Sequence, residues 1–328
     1  MLAAMTSANV GDDVLGDDPT VNDLQRKIAG ILGKEAACFV PSGTMANQTA
    51  ICALTRPGDE VVTHRDSHIV HYETGAVAAL AGCQVHPVDG PGGLFSAGDV
   101  DAAIRPGDPH YPHTRLVVIE NTHNRGGGTV WPLARFTEVC EAARRHGLAV
   151  HLDGARLFNA SVASGTPPME FARHVDTVSV CFSKGLGAPA GSAVAGSAQT
   201  IDRVRRLRKM FGGAMRQSGI LAAAAIHALD HHVKRLAQDH LRARRLADGL
   251  AAVPGLGVDA GSVSTNMVFF DVSPSLGTGA AFCARLGELG VRMLPLGPQR
   301  LRAVTHLDVD DAGIEQAIEA VGRAAAMA

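Results

Sequence analysis

Short apolar runs alternate with amphipathic stretches along most of the chain. AACFVPSG (36–43), DEVVTH (59–64), CQVHPVDG (83–90), TRLVVIENT (114–122), LAVHLDGA (148–155), DTVSVCFSK (176–184) and GSAVAGS (191–197) are apolar runs bounded by Gly, Pro or Asp, the pattern of strands. Between them MANQTAICALT (45–55), LARFTEVCEAARRHG (133–147) and QTIDRVRRLRKMF (199–211) repeat apolar positions at helical spacing. This alternation predicts an α/β fold, a mostly parallel sheet covered by helices on both faces. A long helical region at 220–253 gives way to STNMVFFDV, a helix at 279–289, GVRMLPL, QRLRAVTH and a final helix, which predicts a smaller C-terminal α+β domain. The expected division is a large domain over 1–238 and a small one over 239–328.

In such a sheet ligands bind at the carboxyl ends of the strands. The strand ends offer Ser42-Gly43-Thr44, His64 with His68, Asn121 to Asn124, Asp153 with Arg156, and Ser183-Lys184, which can converge in one cleft. Lys184 is the anomaly. It closes an apolar run, VDTVSVCFSK, where an ammonium without a partner is costly to bury, and the glycines after it suit a close approach.

Composition narrows the choice of partner. Hydrophobic residues make up 46% of the chain and charged ones 19%, enough apolar material for a large core. With 30 basic against 32 acidic residues, neither nucleic acid nor an anionic membrane is the expected partner. No apolar run approaches the ~20 residues of a membrane span, and the start MLAAMTSANVGDD lacks the features of a signal peptide, so a cytoplasmic protein is expected. The six cysteines contain no C-x-x-C pair and read as unpaired buried thiols.

Three elements carry the chemistry together. FVPSGTMANQ (39–48) is a strand, a turn with two hydroxyls and a helix start, which is a phosphate cradle or an ordinary helix cap. HLDGARLFNA (151–160) puts Asp153 at a strand end, where it holds a protonated ring nitrogen, a metal or a lysine, or caps a helix. A phosphate turn, a carboxylate and a lysine able to condense with an aldehyde are what pyridoxal 5′-phosphate requires. A metal reading is weaker: His64, His68 and His71 have helical spacing, but DEVVTH is a strand signal, so the three do not share a helix.

VGDDVLGDDPTVNDLQ, KEAACFVPSGTMANQ, DSHIVHYETG, ENTHNRGGGTVWP, HLDGARLFNA, CFSKGLGAPAGS, RKMFGGAMRQSG and RAVTHLD, in that order, closely resemble the low-specificity L-threonine aldolases over nearly the whole chain. These are pyridoxal-phosphate enzymes of the aspartate-aminotransferase fold type. The resemblance implies cleavage of L-threonine or L-allo-threonine to glycine and acetaldehyde. It implies that Lys184 binds the cofactor, Asp153 faces the pyridine nitrogen, Arg156 reaches the ring oxygen, and Ser42, Gly43 and Thr44 hold the phosphate. His68 is then the histidine on the pyridine face, His110 of DPHYPHTRL the one near the substrate hydroxyl, and Arg302 the clamp for the substrate carboxylate. It also implies a homotetramer, a dimer of dimers, with Tyr72 at the substrate and Lys209 and Arg216 near the cofactor phosphate, these three supplied across a subunit boundary.

Two departures stand out. Ala46 replaces a usual glycine, and the chain opens just downstream of a family strand with an Asp-Leu-Arg-Ser-Asp-Thr-type motif, so that strand is expected to be missing. Arg203, Arg205 and Arg206 read as a solvated helix face, His231 and His232 as surface or packing residues, and His123 as catalytic or loop-shaping. The alternatives are a β-eliminating lyase or another β-hydroxy-amino-acid aldolase on the same scaffold, or a cofactor-binding protein with little turnover.

Overall fold

The computed structural model describes residues 1–327. The chain forms two compact units, one of Met1–Gly126 with Val130–Val233, the other of Gly127–Thr129 with the residues from Lys234 onward.

The first unit is built on seven strands: β1 (Ala36–Val40), β2 (Glu60–His64), β3 (Gln84–Val88), β4 (Thr114–Glu120), β5 (Ala149–Gly154), β6 (Thr177–Cys181) and β7 (Ser192–Gly196). Their order is β1-β7-β6-β5-β4-β2-β3. The neighbours β6-β5-β4-β2-β3 are parallel, whereas β7 runs antiparallel to both β6 and β1. β2, β6 and β7 are buried along their whole length, including the polar side chains of Glu60, Thr63, His64, Thr177, Ser179 and Ser192. Helices Gly43–Leu54 and Ala198–Met210 close one cluster, with Val40, Ala46, Ala50, Val194, Ile201 and Val204 at 0% exposure. Each such valine or isoleucine side chain contributes about 1.5–3 kcal/mol by leaving water.

The second unit carries an antiparallel sheet of β8 (Leu256–Val258), β9 (Met267–Val272), β10 (Leu294–Pro295) and β11 (Arg300–Val304), ordered β10-β11-β9-β8. Phe270, Phe282, Leu286, Leu301 and Ile314 form its core with helices Leu236–Ala251, Gly279–Glu288 and Asp311–Ala326. The expected α/β architecture is present, with two differences in detail. The helical region expected at 220–253 is interrupted: one helix ends at His231 and the next begins at Leu236. GVRMLPL contributes only the exposed pair Leu294–Pro295, because Pro295 has no N–H to extend a ladder. No helix among the described residues is long and apolar enough to cross a membrane. All six cysteines are unpaired, four of them buried.

Candidate active site

The parallel strands deliver their carboxyl ends to one edge of the sheet. β1 runs into helix Gly43–Leu54, whose N-cap Ser42 accepts the Met45 N–H at 3.2 Å. That cap leaves the first-turn N–H groups of Gly43 and Thr44 without a helical acceptor. A Cβ on Gly43 would lie 2.8 Å from Cys181 Sγ at the end of β6, so this close approach needs glycine. β2 leads through His64 to the short helix His68–His71. β6 leads to Lys184 in a loop pinned by Gly187 N–H to Lys184 O (2.8 Å), Ala188 N–H to Phe182 O (3.0 Å) and His232 Nδ1–H to Leu186 O (2.6 Å). Lys184 is half-buried in that loop.

A buried hydrogen-bond network joins these ends. Asn47 Nδ2 donates to both Glu73 Oε1 and Asp153 Oδ2, each at 2.8 Å. Asn47 Oδ1 accepts from Ser179 Oγ at 2.9 Å and His151 Nε2 at 3.2 Å. His151, neutral because burial pulls its pKa down to about 4, takes the Thr177 hydroxyl on Nδ1 at 2.8 Å. His68 Nδ1 lies 2.8 Å from Glu73 Oε1, and Gln48 Nε2 donates to Glu73 Oε2 at 2.6 Å. Ala155 N–H completes the set on Asp153 Oδ1 at 3.1 Å.

Charge is distributed unevenly in this network. Burial pushes the Asp153 carboxyl up, but Lys184, His68 and His151 outweigh it and hold the group below its ordinary value. Glu120, beside it on β4, is pushed up to about 7, first by burial and then by Asp153. Its oxygens accept the N–H groups of His68 (2.7 Å) and Asn124 (2.8 Å). Burial pulls His68 down, and the Glu73 hydrogen bond with the Asp153 charge more than reverses this, so it ends above the usual histidine range. His68, Glu73 and Asp153 bring ligand atoms within 4.8 Å of one another, a spacing a cation could use. Yet every oxygen of the two carboxylates already accepts an N–H, and donors aimed at those lone pairs compete with a cation.

The chain matches the β-eliminating lyase family model over residues 1–273. It is 43% identical over 312 residues to the low specificity L-threonine aldolase of Escherichia coli K12, covering 94% of this chain and 90% of that protein. The chain belongs to the β-eliminating lyase family. The lyase is also 42% identical over 315 residues to low-specificity L-threonine aldolase 1 of Arabidopsis thaliana, with 93% and 87% covered. Its fold is shared with the Leishmania major threonine aldolase at a TM-score of 0.81 and 24% identity, covering 98% of this chain and 93% of that one.

Of the residues the sequence singled out, Ser42, Gly43, Thr44, His68, Asp153 and Lys184 lie at this edge of the lyase. Arg156, N-cap of helix Leu157–Ser164, is close enough to act on Cys181. Tyr72 is exposed, its ring 5.4 Å from that of His68 and its hydroxyl 3.2 Å from Arg125 Nη1. His110 sits on an exposed loop before β4, at the amino end of the strands, and meets Asp108 at 2.5 Å. Arg216 is exposed and paired with Asp12 at 2.6 Å. Arg302 belongs to the second unit, on β11 opposite Phe269. His123 shapes its loop: Nδ1 accepts the Gly126 N–H at 3.0 Å, and a Cβ on Gly93 would strike its ring at 2.1 Å. Sequence reasoning missed Asn47, Gln48, Glu73, Glu120, His151 and Ser179. The signal available was the pair of polar residues opening helix Gly43–Leu54 and the acid inside DSHIVHYETG.

Proposed function

We propose that this lyase uses pyridoxal 5′-phosphate to cleave L-threonine, L-allo-threonine and related β-hydroxy-α-amino acids between Cα and Cβ, giving glycine and an aldehyde. The observation that carries the reading is Asp153, a carboxylate at 3% exposure held in its charged form beside Lys184 and His68. A buried anion kept ionised in this way suits a partner that must stay protonated, such as a pyridine nitrogen. The kinship with threonine aldolases supports the reaction type.

The residues fit the cofactor. Gly43 and Thr44 offer first-turn N–H groups at the positive end of a twelve-residue helix, where a phosphate binds well. Lys184 Nζ would hold the cofactor covalently, Asp153 would keep a proton on its ring nitrogen, and Arg156 would meet its ring oxygen. When bound, the cofactor supplies an electron sink for the charge left on the substrate Cα. His68 covers the ring face and accepts the β-hydroxyl proton, a task for which an imidazole is suited near neutral pH. Arg302 grips the substrate carboxylate through two parallel hydrogen bonds, which orients the bond to be broken.

We read the working form as a cytoplasmic homotetramer in which His110, Tyr72, Lys209 and Arg216 serve a neighbouring chain's site. Their exposure, and the distance of His110 from its own chain's cluster, support that reading. Unpaired cysteines support a reducing compartment.

Product analysis with threonine, phenylserine and cysteine tests the reaction. Glycine with acetaldehyde or benzaldehyde is the expected outcome; a keto acid with ammonia marks a β-eliminating lyase instead. A visible cofactor band without turnover marks a cofactor-binding protein.

A further inference from the structure

Glu73 occupies a position that needs explaining. Its side chain has 0% exposure, and three N–H groups converge on it from His68, Asn47 and Gln48. The next residue, Thr74, takes φ 54°, a left-handed conformation that a β-branched residue rarely adopts. The surrounding packing therefore holds a strained turn that keeps the acid pointing inward.

We propose that Glu73 is a positioning residue: its carboxylate holds the Nδ1–H of His68, so that the imidazole offers Nε2 as the proton acceptor of the site. The catalytic use of this pair rests on the reading of His68 given under Proposed function.

The orientation of the partners follows from hydrogen-bond chemistry. Asn47 must turn its Nδ2 to the carboxylates, because the reverse orientation would set Oδ1 against two anions. Its Oδ1 then accepts from Ser179 and from His151, which therefore carries its proton on Nε2. All four hydrogen-bonding positions of the Asn47 side chain are used. Glu73, fixed by Asn47 and Gln48, leaves His68 one good choice, to donate from Nδ1. Other charges facing His68 are Asp153 on β5 and Lys184 in the loop after β6; Glu120 on β4 holds its backbone N–H. Tyr72 lies beside the ring.

Two variants separate charge from shape. Glu73→Gln is nearly isosteric, and Gln48 Oε1, which is buried without a hydrogen-bond partner, can accept the new amide N–H after a flip of the Gln48 amide. Glu73→Ala removes the acceptor altogether. Nitrogen NMR of histidine in the cofactor-free protein reads the tautomer and titration of His68 directly. The expected wild-type result is an Nδ1–H tautomer. Glu73→Gln keeps that tautomer and titrates at lower pH, and Glu73→Ala gives a mixture of tautomers. In the loaded enzyme the acid limb of kcat/KM moves to lower pH in Glu73→Gln, and kcat falls on the order of 100-fold in Glu73→Ala with little change in KM. Unchanged His68 tautomer and titration in both variants overturn the proposal. A His68 signal that moves while the acid limb stays fixed supports the positioning and overturns His68 as proton acceptor, so the two failures are distinct.

Discussion

Glu120 and Asp153 are paired in register on neighbouring strands, yet their environments shift their carboxyls in opposite directions. Asp153 has Lys184, His68 and His151 to hold it ionised, whereas Glu120, raised to about 7, has mainly backbone N–H groups. Carboxyls pushed apart in this way divide roles in an acid–base site. A stability signature follows. The folded-state pKa of Glu120 lies above its ordinary 4.5, so between those values the folded chain holds a proton that the unfolded chain releases. Its contribution to stability is therefore greatest at low pH and is lost as pH rises toward 7. The measured excess in Tm of wild type over Glu120→Gln should shrink as pH rises from about 5 to 8; a gap that widens would contradict the assignment. At Asp153 the expectation is a separation of binding from chemistry. Asp153→Ala should still take up cofactor but lose nearly all glycine formation, since a neutral ring accepts charge poorly; near-normal turnover would show that another group protonates the ring. Asp153 and Lys184 could be read from the sequence because a charged residue at the end of an apolar run is out of place there, whereas His68 was marked by the resemblance of DSHIVHYETG. Asn47 and Glu73 could not. Asn47 looks like an ordinary second-turn helix residue until β5 and β6, more than 100 residues away, bring Asp153 and Ser179 against it.

At the scale of elements, the strands were legible because short runs rich in valine and other apolar residues are bounded by Gly, Pro or Asp. Their order was not, because such a run does not encode its neighbours. That β7 turns back antiparallel between β6 and β1 is therefore a fact of tertiary packing. The lysine-bearing loop consequently joins two adjacent antiparallel strands, which brings both of its ends to one edge of the sheet, where its own hydrogen bonds pin it. The start of helix Gly43–Leu54 depends on the same arrangement, since Gly43 faces Cys181 across the sheet end. Gly43→Ala should cost about 1–3 kcal/mol by overpacking and weaken cofactor uptake. Adding Cys181→Ala removes the sulfur that the new methyl meets, so the double variant should regain most of both losses. Chemical denaturation and cofactor titration of the two single variants and the double check this; strict additivity would mean that the two residues do not share the space.

At the scale of the whole molecule, the position of His110 sets the constraint. Its loop precedes Thr114 at the amino end of β4, while Glu120 at the other end touches the His68 backbone. The strand between them, at ~3.3 Å per residue, spans about 20 Å. His110 therefore cannot serve the site of its own chain, and the role implied for it requires a second copy. A mixing experiment decides the matter. Lys184→Ala and His110→Ala chains should each be nearly inactive alone, because one lacks the cofactor lysine and the other the donated histidine. Dissociated, mixed in equal amounts and reassociated, about half of the symmetric pairs are hybrids, and each hybrid carries one site with both residues intact, about a quarter of all sites. Activity should thus rise to about a quarter of wild type per chain, with the rise absent when the two proteins are mixed without dissociation. If reassociated mixtures stay at the level of the parents, His110 and Lys184 do not act from different chains. If His110→Ala alone is fully active, His110 takes no part in cleavage.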